Sequence, residues 1–347
     1  MKRGNGRFVV VVSVSALTLL WLASCSNPAG SDAKDRNDPE VTRVTVAFDS
    51  QGGTPVSPQE VPAGTRLTEP NDLSNGDLIF GGWYTEEACN TRWDFYADAA
   101  NGDCTLFAGW NPADSLVFTL IDAGTAAYGV SKGATAPVGY LYIPAYYKGI
   151  PVTEISHGGF EDCSDLENVA LTSTLTVING LAFYSCSSLQ ELTLPASVSS
   201  VTKNALFYCD ALTAVEVRPG NAQYSSRDGV LFDDPGSTLL WYPASKSDTA
   251  YAVPSGVTEL SGFAFMNTSF LEDVTLPAGL STIRYCAFHT SPSVTDIFIP
   301  LAVSTVEQYG FIGCHSLSIR CEASSRPAGW DEAWYNNVDS VEWGASE

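Results

Sequence analysis

Residues 182–195 read Ala-Phe-Tyr-Ser-Cys-Ser-Ser-Leu-Gln-Glu-Leu-Thr-Leu-Pro, and variants of this phrase recur through residues 152–323. The copies open at Ile155, Ile178, Val201, Leu260, Ile283 and Val306, at intervals of 23, 23, 59, 23 and 23 residues. Five residues on stand Phe160, Phe183, Leu206, Phe265, Phe288 and Phe311; eight on stand Cys163, Cys186, Cys209, Thr268, Ser291 and Cys314. Position eleven is Leu166, Leu189, Leu212, Leu271, Val294 and Leu317. Positions fourteen and sixteen hold apolar pairs such as Leu192/Leu194 and Ile297/Ile299, and proline follows at Pro195, Pro277 and Pro300. A fixed period in the twenties with several apolar columns marks a solenoid, in which each coil buries its face only against its neighbours. The alternation predicts a strand per coil, with positions eleven, fourteen and sixteen turned inward and thirteen and fifteen outward. Strands stacked about 4.8 Å apart make each column a ladder of like side chains. The fold class expected is therefore mainly β.

The 59-residue interval equals two periods plus 13 residues. Pro254 stands six residues before Leu260, as Pro195 stands six before Val201, so Tyr251-Ala-Val-Pro254 closes a hidden coil. The surplus falls at Gly229-Val-Leu-Phe232, Asp233-Asp-Pro-Gly-Ser237 and Leu239-Leu-Trp-Tyr-Pro243, a strand–turn–strand pattern. It is expected as a hairpin standing off the stack, near 222–243. Counting irregular copies, about eight coils span residues 140–325. In the last, Arg320 and Glu322 occupy apolar positions, so the ladder is expected to fray. Residues 326–347, with Trp330, Trp334 and Trp343, are the expected cap.

The chain has 347 residues and a formal charge of −22. Its first 24 residues carry three of the 17 basic side chains and no acid, so their removal takes the charge to −25. Such a surface repels phosphate backbones and anionic lipid, which excludes a nucleic-acid partner. Solubility through self-repulsion is the plain reading of the acidity; attraction of a basic partner or of cations is the sharper one.

Lys2, Arg3 and Arg7 precede an apolar run from Phe8 to Leu22. A basic start, a short apolar stretch and small residues before a cut describe a secretory signal peptide, residues 1–24. The run is marginal for a membrane span. Leu22-Ala23-Ser24-Cys25 resembles the lipobox of bacterial lipoproteins. That resemblance implies that Cys25 is diacylated on sulfur and becomes the mature N-terminus, a lipid anchor in the cell envelope. A plain signal peptide with an incidental cysteine is the alternative. Residues 25–41 lack aromatics and read as a disordered tether.

Within residues 42–110, Val44-Thr-Val-Ala-Phe48 alternates as a strand and runs into the turn Asp49-Ser-Gln-Gly-Gly53. Glycines beside Trp83, Tyr84 and Trp110 let rings lie on bare backbone, so Trp83, Trp93 and Trp110 are most simply core. The ordered pieces VAFDSQGG, FGGWYTEEAC, WDF and LFAGW resemble the internalin-type B repeat, also called the Listeria–Bacteroides repeat, of bacterial surface proteins. The resemblance implies a small β-grasp-like spacer or adhesion module without catalytic residues. Residues 111–139 are a linker and lead-in strands, Val117–Ile121 and Ala127–Val130, around a turn at Gly124. From Pro144 to Ile155 is 11 residues, so the first coil carries a five-residue insertion. Gly129-Val-Ser-Lys-Gly133 fits G-x-S-x-G by letter, but a nucleophile elbow needs a helix after the serine, and no helical pattern follows.

The repeat itself, written AF-x-x-C-x-x-L-x-x-V-x-L-P, resembles the BspA-type leucine-rich repeat, as does the interruption "dGvLF…LLWYP…YAVP". The resemblance implies a leucine-rich repeat solenoid of about 23 residues per coil on a bacterial surface protein.

Cys163, Cys186, Cys209 and Cys314 share one repeat position and read as buried, unpaired filling, since Thr268 and Ser291 occupy the same slot. Cys89 and Cys104 leave both a bridge and two thiols open. His157, His289 and His315 fall at three different repeat positions, which builds no metal site along one ladder. No cofactor or metal is expected. Outward strand positions form the expected concave face: Asn168, Ala170, Glu191, Thr193, Ala214, Glu216, Asp273, Thr275, Asp296 and Phe298. Solenoids present such strips to partners. The expectation is a non-catalytic, lipid-anchored protein of the bacterial cell envelope, at the outer membrane or cell surface, binding host or bacterial surface proteins or matrix. The alternative is a carbohydrate-binding or envelope-structural protein, for which an aromatic platform on this face or at Trp241 and Tyr242 would speak.

Overall fold

The computed structural model describes residues 41–70, 72–121 and 126–346, and no helix occurs among them. The apolar leader, the tether, Cys25 and the Gly124 turn lie outside the described residues.

Four strands make the first module: β1 (Arg43–Asp49), β2 (Gln59–Pro62), β3 (Ile79–Tyr84) and β4 (Cys104–Asn111). Their order is β2-β1-β4-β3, with β1 and β4 parallel at the centre and the outer pairs antiparallel. This is the β-grasp-like sheet expected. The alternation in β1 turns Val44, Val46 and Phe48 inward. There Trp83 meets Phe48 and Phe80 edge-on, with ring centroids 4.9 and 5.7 Å away. The glycines act as anticipated: a Cβ on Gly109 would stand 2.4 Å from the Tyr84 ring, and one on Gly53 2.4 Å from that of Trp110.

The lead-in hairpin, β5 (Leu116–Leu120) and β6 (Tyr128–Lys132), joins the solenoid directly, because β6 pairs in parallel with β9 (Ile150–Ile155). β7 (Gly139–Tyr142) opens the opposite wall. The insertion in the first coil is a small hairpin between β8 (Tyr146–Tyr147) and β9, turning through Lys148 and Gly149 at φ 50° and 74°.

Each following coil gives one longer and one two-residue strand: β10 (Leu166–Ala170) and β11 (Val177–Ile178), β12 (Glu191–Leu194) and β13 (Ser200–Val201), then β14 (Ala214–Val217). Two parallel walls result, β7-β10-β12-β14 and β5-β6-β9-β11-β13, apart from the antiparallel pair β5-β6. The chain crosses between walls through a left-handed residue at position seven of every regular coil: Asp162, Ser185, Tyr208, Asn267, Thr290 and Gly313, at φ 52–79°. For non-glycine residues that conformation costs roughly 1–2 kcal/mol each. It is offset by hydrogen bonds between coils, since the N–H of Asp162, Ser185, Asn267 and Thr290 donates to the carbonyl at position six of the next coil. Two residues before each opening aliphatic runs a Ser/Thr column. The amides and hydroxyls of Thr176, Ser199, Ser281 and Ser304 donate to the carbonyls of Thr153, Thr176, Thr258 and Ser281.

The insertion does not stand off the stack. β15 (Tyr224–Arg227), β16 (Val230–Asp233) and β17 (Thr238–Trp241) form a meander whose last strand pairs in parallel with β19 (Glu259–Leu260), placing Leu239 beside Leu260. Leu239 is thus the opening residue of the hidden coil, with Ser237 in the Ser/Thr column. Tyr242 takes the ring position: its N–H donates to Ala264 as that of Phe265 donates to Ala287. Val230, Phe232, Leu239 and Tyr242 are fully buried. Their apolar side chains would otherwise lie in water, at about 25 cal/mol per Å². β18 (Ala250–Ala252) supplies the longer-strand position of this coil.

β20 (Asp273–Thr275), β21 (Thr282–Ile283), β22 (Asp296–Ile299), β23 (Thr305–Val306) and β24 (Ser318–Cys321) complete the second half. The expected fraying is absent. Ile319 and Cys321 are fully buried in register with Ile297 and Ile299, while Arg320 points outward. A further strand, β25 (Ser340–Trp343), pairs with β24. Trp330 bridges to Val306, and Trp334 lies edge-on to Phe311, so the terminal residues form one more, irregular coil. The core is a column of rings: Tyr242, Phe265, Phe288 and Phe311 stack with centroids 5.3, 4.8 and 5.1 Å apart. Each such pair contributes about 0.5–1.5 kcal/mol beyond area burial.

Candidate functional site

The outward positions fall into two groups, because the longer-strand wall is divided into β7-β10-β12-β14 and β18-β20-β22-β24-β25. At the division the amide of Val215 donates to the carbonyl of Gly229 and that of Val217 to the Ser226 hydroxyl, so the edge of β14 is occupied by the meander. Asn168, Glu191, Thr193 and Glu216 lie on the first wall, with Asn168 beside Glu191 and Thr193 beside Glu216. Asp273, Thr275, Asp296 and Phe298 lie on the second, with Asp273 beside Asp296. The structure does not bring all eight into one row.

On the second wall Asp273 and Thr275 are exposed, and Asp296 and Phe298 half-buried. Arg320, one rung on, holds Asp296 through two bonds of 3.0 and 2.6 Å and sits 5.6 Å above the Phe298 ring. A bidentate guanidinium–carboxylate pair orients both groups, although at this exposure it contributes about 1 kcal/mol or less.

The first wall is partly roofed by the N-terminal module. Tyr142 of β7 and Ala170 of β10 pack into the core of that module, and the Phe80 ring meets Tyr142 edge-on at 5.5 Å. Arg92 lies 3.7 Å from the centroid of Tyr140, and its guanidinium donates to the carbonyl of Gly81 and the hydroxyl of Tyr84. The Tyr142 hydroxyl donates to Glu69 over 2.6 Å. Burial pushes the Glu69 carboxyl up, against the opposing pull of that hydrogen bond and of Arg92. Burial likewise raises the Tyr142 phenol. Further along, Arg218 reaches from the end of β14 to Asp94 at 3.5 Å and covers the Tyr96 ring at 4.2 Å. Between the Trp93–Tyr96 loop and residues 168–172 of the solenoid remains a cavity of about 260 Å³, which Glu191 and Thr193 also line. Sequence reasoning placed Asn168, Glu191 and Thr193 on an open strip and gave no sign of the roof. Contacts between Arg92 and Tyr140 or between Arg218 and Tyr96 follow no periodicity.

Among the described residues all eight cysteines are free thiols, Cys89 and Cys104 included. The position-eight column has a structural task. Cys186, Cys209, Ser291 and Cys314 donate to the carbonyls of Phe160, Phe183, Phe265 and Phe288, one coil back. Burial pushes the thiols of Cys209 and Cys321 up to about 12 and that of Cys314 up to about 11. His157 and His315 are exposed and His289 is half-buried. Ser131 of the G-x-S-x-G stretch lies within β6, paired to Val117 of β5, and Gly133 is required by packing, since a Cβ there would stand 1.8 Å from the Asp114 carbonyl. Trp241 and Tyr242 are buried and offer no sugar platform.

Residues 45–109 match the Listeria-Bacteroides repeat domain, and residues 149–227 and 244–324 match the BspA type leucine rich repeat region in six copies. The break between the two repeat matches coincides with β16 and β17. A putative Gly-rich membrane protein of Evansella cellulosilytica is 41% identical over 71 residues, 20% of this chain and 8% of that protein. A putative membrane protein of the same organism is 32% identical over 104 residues, 28% of this chain and 16% of that one. The chain thus matches only a small part of these curated relatives. Among solved structures, a leucine rich cell surface protein from Faecalibacterium prausnitzii has 24% identity and a TM-score of 0.46, covering 61% of each chain. A leucine-rich repeat protein from Eubacterium ventriosum has 17% identity and a TM-score of 0.42, covering 65% of this chain and 84% of that one. Two repeat families therefore meet in one polypeptide, a Listeria–Bacteroides repeat at its front and BspA-type leucine-rich repeats behind it.

Proposed function

We propose that this chain is a non-catalytic surface protein of the bacterial envelope that recognises another protein through the outer face of β18-β20-β22-β24-β25, tethered by a lipid on Cys25. Leucine-rich repeat proteins in general bind other proteins, and BspA-type repeats are typical of surface proteins. One observation carries the choice of face. Five parallel strands in register present Asp273, Thr275, Asp296 and Phe298 outward, while Val274, Ile297 and Ile299 between them are buried. The first wall is already engaged by the N-terminal module. Phe298 is an apolar anchor beside the Asp296–Arg320 pair, with Asp273 and Thr275 exposed on the neighbouring strand, so a partner that brings an apolar pocket edged by a basic group to Asp273 fits it. On this reading the chain divides into leader (1–24), tether (25–41), spacer module (42–110), lead-in strands (111–139), repeats (140–325) and cap (326–347).

The test has two arms. Protease shaving of intact cells is run beside a Cys25→Ser variant: the parent is expected to be membrane-held and shaved, the variant to be released. Purified parent and an Asp273→Lys/Asp296→Lys/Phe298→Ala variant are compared for binding to matrix proteins and to intact host and bacterial cells. Binding is expected to fall at least about tenfold in the variant, the loss of one hot spot. Equal binding by both, or none by either, overturns the reading.

A further inference from the structure

We infer that the opening between β13 and β17, in the wall built of two-residue strands, binds a small monocarboxylate with an apolar body, an aryl or branched aliphatic acid. That wall runs as two separate sheets, β5-β6-β9-β11-β13 and β15-β16-β17-β19-β21-β23, and the ladder breaks between them. In the regular coils the residue after each opening aliphatic donates its N–H to the opening residue one coil back: Thr202 to Ile178, Ser261 to Leu239, Arg284 to Leu260 and Glu307 to Ile283. Among the described residues Leu240 makes no such bond to Val201, and the N–H of Val201 donates instead to the hydroxyl of Tyr224 over 2.9 Å. The ring column breaks at the same level, where Leu206 stands between Phe183 of the coil before and Tyr242 of the coil after.

The missing strand pair and the missing ring leave a pocket of about 230 Å³, lined by the apolar side chains of Val201, Leu206, Leu231, Leu240 and Trp241. It opens to the surface beside Thr202 and Lys203, both exposed. Close-packed interiors rarely hold voids larger than a water molecule, and an apolar cavity of about 150 Å³ is enough to bind benzene. The space therefore admits one six-membered ring or a branched chain, with a short arm reaching the mouth. A concave apolar pocket with a few polar groups at its rim is the usual form of a small-molecule site.

The rim selects the head group. Lys203 is the one charged side chain on the lining and forms no ion pair among the described residues. Arg284, further along the same wall, is by contrast already held by Glu259 and Glu307 at 2.7 and 2.8 Å. The Tyr224 hydroxyl accepts from Val201, and among the described residues its own proton goes to no acceptor. An ammonium and a phenol proton are donors, and a carboxylate accepts from both. No acid lines the pocket to oppose that charge. An amine would meet Lys203 as a like charge, and a neutral ligand would leave it unused.

The pocket lies on the other wall from Asp273 and Phe298, so its failure and that of the protein-recognition reading are distinguishable. The test is calorimetry and saturation-transfer NMR of the full chain against phenylacetate, isovalerate, phenylacetamide and phenethylamine. Phenylacetate is expected to bind with a Kd of about 0.1–1 mM, at least about fivefold tighter than its amide, with the amine weaker still. Lys203→Met keeps the apolar stem and removes the charge, so it is expected to bring phenylacetate down to the level of the amide and to leave the amide unchanged. Leu206→Phe returns a ring to the column and fills the pocket; it is expected to abolish binding with the far-ultraviolet circular dichroism unchanged. The Asp273→Lys/Asp296→Lys/Phe298→Ala variant is expected to bind phenylacetate as the parent does. No binding of either acid at about 10 mM, a saturating level for this range, overturns the proposal. So does an amide or amine that binds as tightly as the acid, acid binding that Lys203→Met leaves undiminished, or binding that Leu206→Phe retains.

Discussion

The sulfur of Cys186 lies 3.2 Å from the carbonyl oxygen of Phe160, 26 residues earlier and one coil back. The side chain at position eight thereby serves the backbone of its neighbour, and Ser291 makes the same bond to Phe265. Cys186→Ser is expected to stay within about 1 kcal/mol of the parent, because the donor survives, whereas Cys186→Ala, which leaves the Phe160 carbonyl only the Cys163 amide and vacates the space of the sulfur, costs more, about 1–2 kcal/mol. Urea denaturation of the two variants beside the parent checks the order. Alkylation of the native protein is expected to reach exposed Cys104 before Cys209, Cys314 or Cys321, whose burial holds them as thiols.

Trp334, 1% exposed, closes the ring column below Phe311 at 5.9 Å and touches Trp330 at 4.8 Å. Trp334→Ala is expected to cost about 3–5 kcal/mol. Because a solenoid is coupled mainly between neighbours, protection from hydrogen exchange should fall first in β25 and β24 and least at β10. Uniform loss along the stack would contradict the picture of a terminal coil.

Glu69 makes stability depend on pH in a direction that can be worked out. Its folded pKa is raised by burial, so the protonated form is favoured in the native state. The contribution is fully present below the ordinary glutamate value of about 4.3 and is lost as pH rises through the higher folded value. Glu69→Gln keeps an acceptor for the Tyr142 hydroxyl and is expected to melt higher than the parent at pH 7. The difference should shrink toward pH 4, and a melting series across that range measures it.

A Cβ at Gly133 would lie 1.8 Å from the carbonyl oxygen of Asp114. Backbone cannot move aside as a side-chain tip can, so Gly133→Ala is expected to cost more than about 2 kcal/mol. Ser131→Ala, two residues away, should stay within about 1 kcal/mol, since its hydroxyl makes no chemistry in this reading. Thermal melts of both variants decide it.

The walls, the inward columns and the thiol slot were legible because each is written once per 23 residues. What was misread breaks that period. Leu239 opens its coil 38 residues after Val201 and 21 before Leu260, so neither interval announces it. The Ser/Thr column was available as a signal: Ser237 stands two before Leu239 just as Thr258 stands two before Leu260. Arg320 and Glu322 read as fraying because the last coil is one residue shorter ahead of its strand, and the register with Ile297 restores Ile319 inward. The cavity was not legible, because it depends on contacts such as Arg218 to Asp94 across 124 residues.

In the regular stretches position seven donates forward to the next coil and position eight donates back to the previous one. The units that open at Ile178 and Ile283 therefore offer the same pair of connectors above and below. Unequal recombination between copies can add or remove whole units without leaving an unmatched group, and either end of the stack is untouched by it. Reach then becomes a quantised trait, adjusted in steps of about 4.8 Å, with the meander of β15 to β17 interrupting the longer-strand wall.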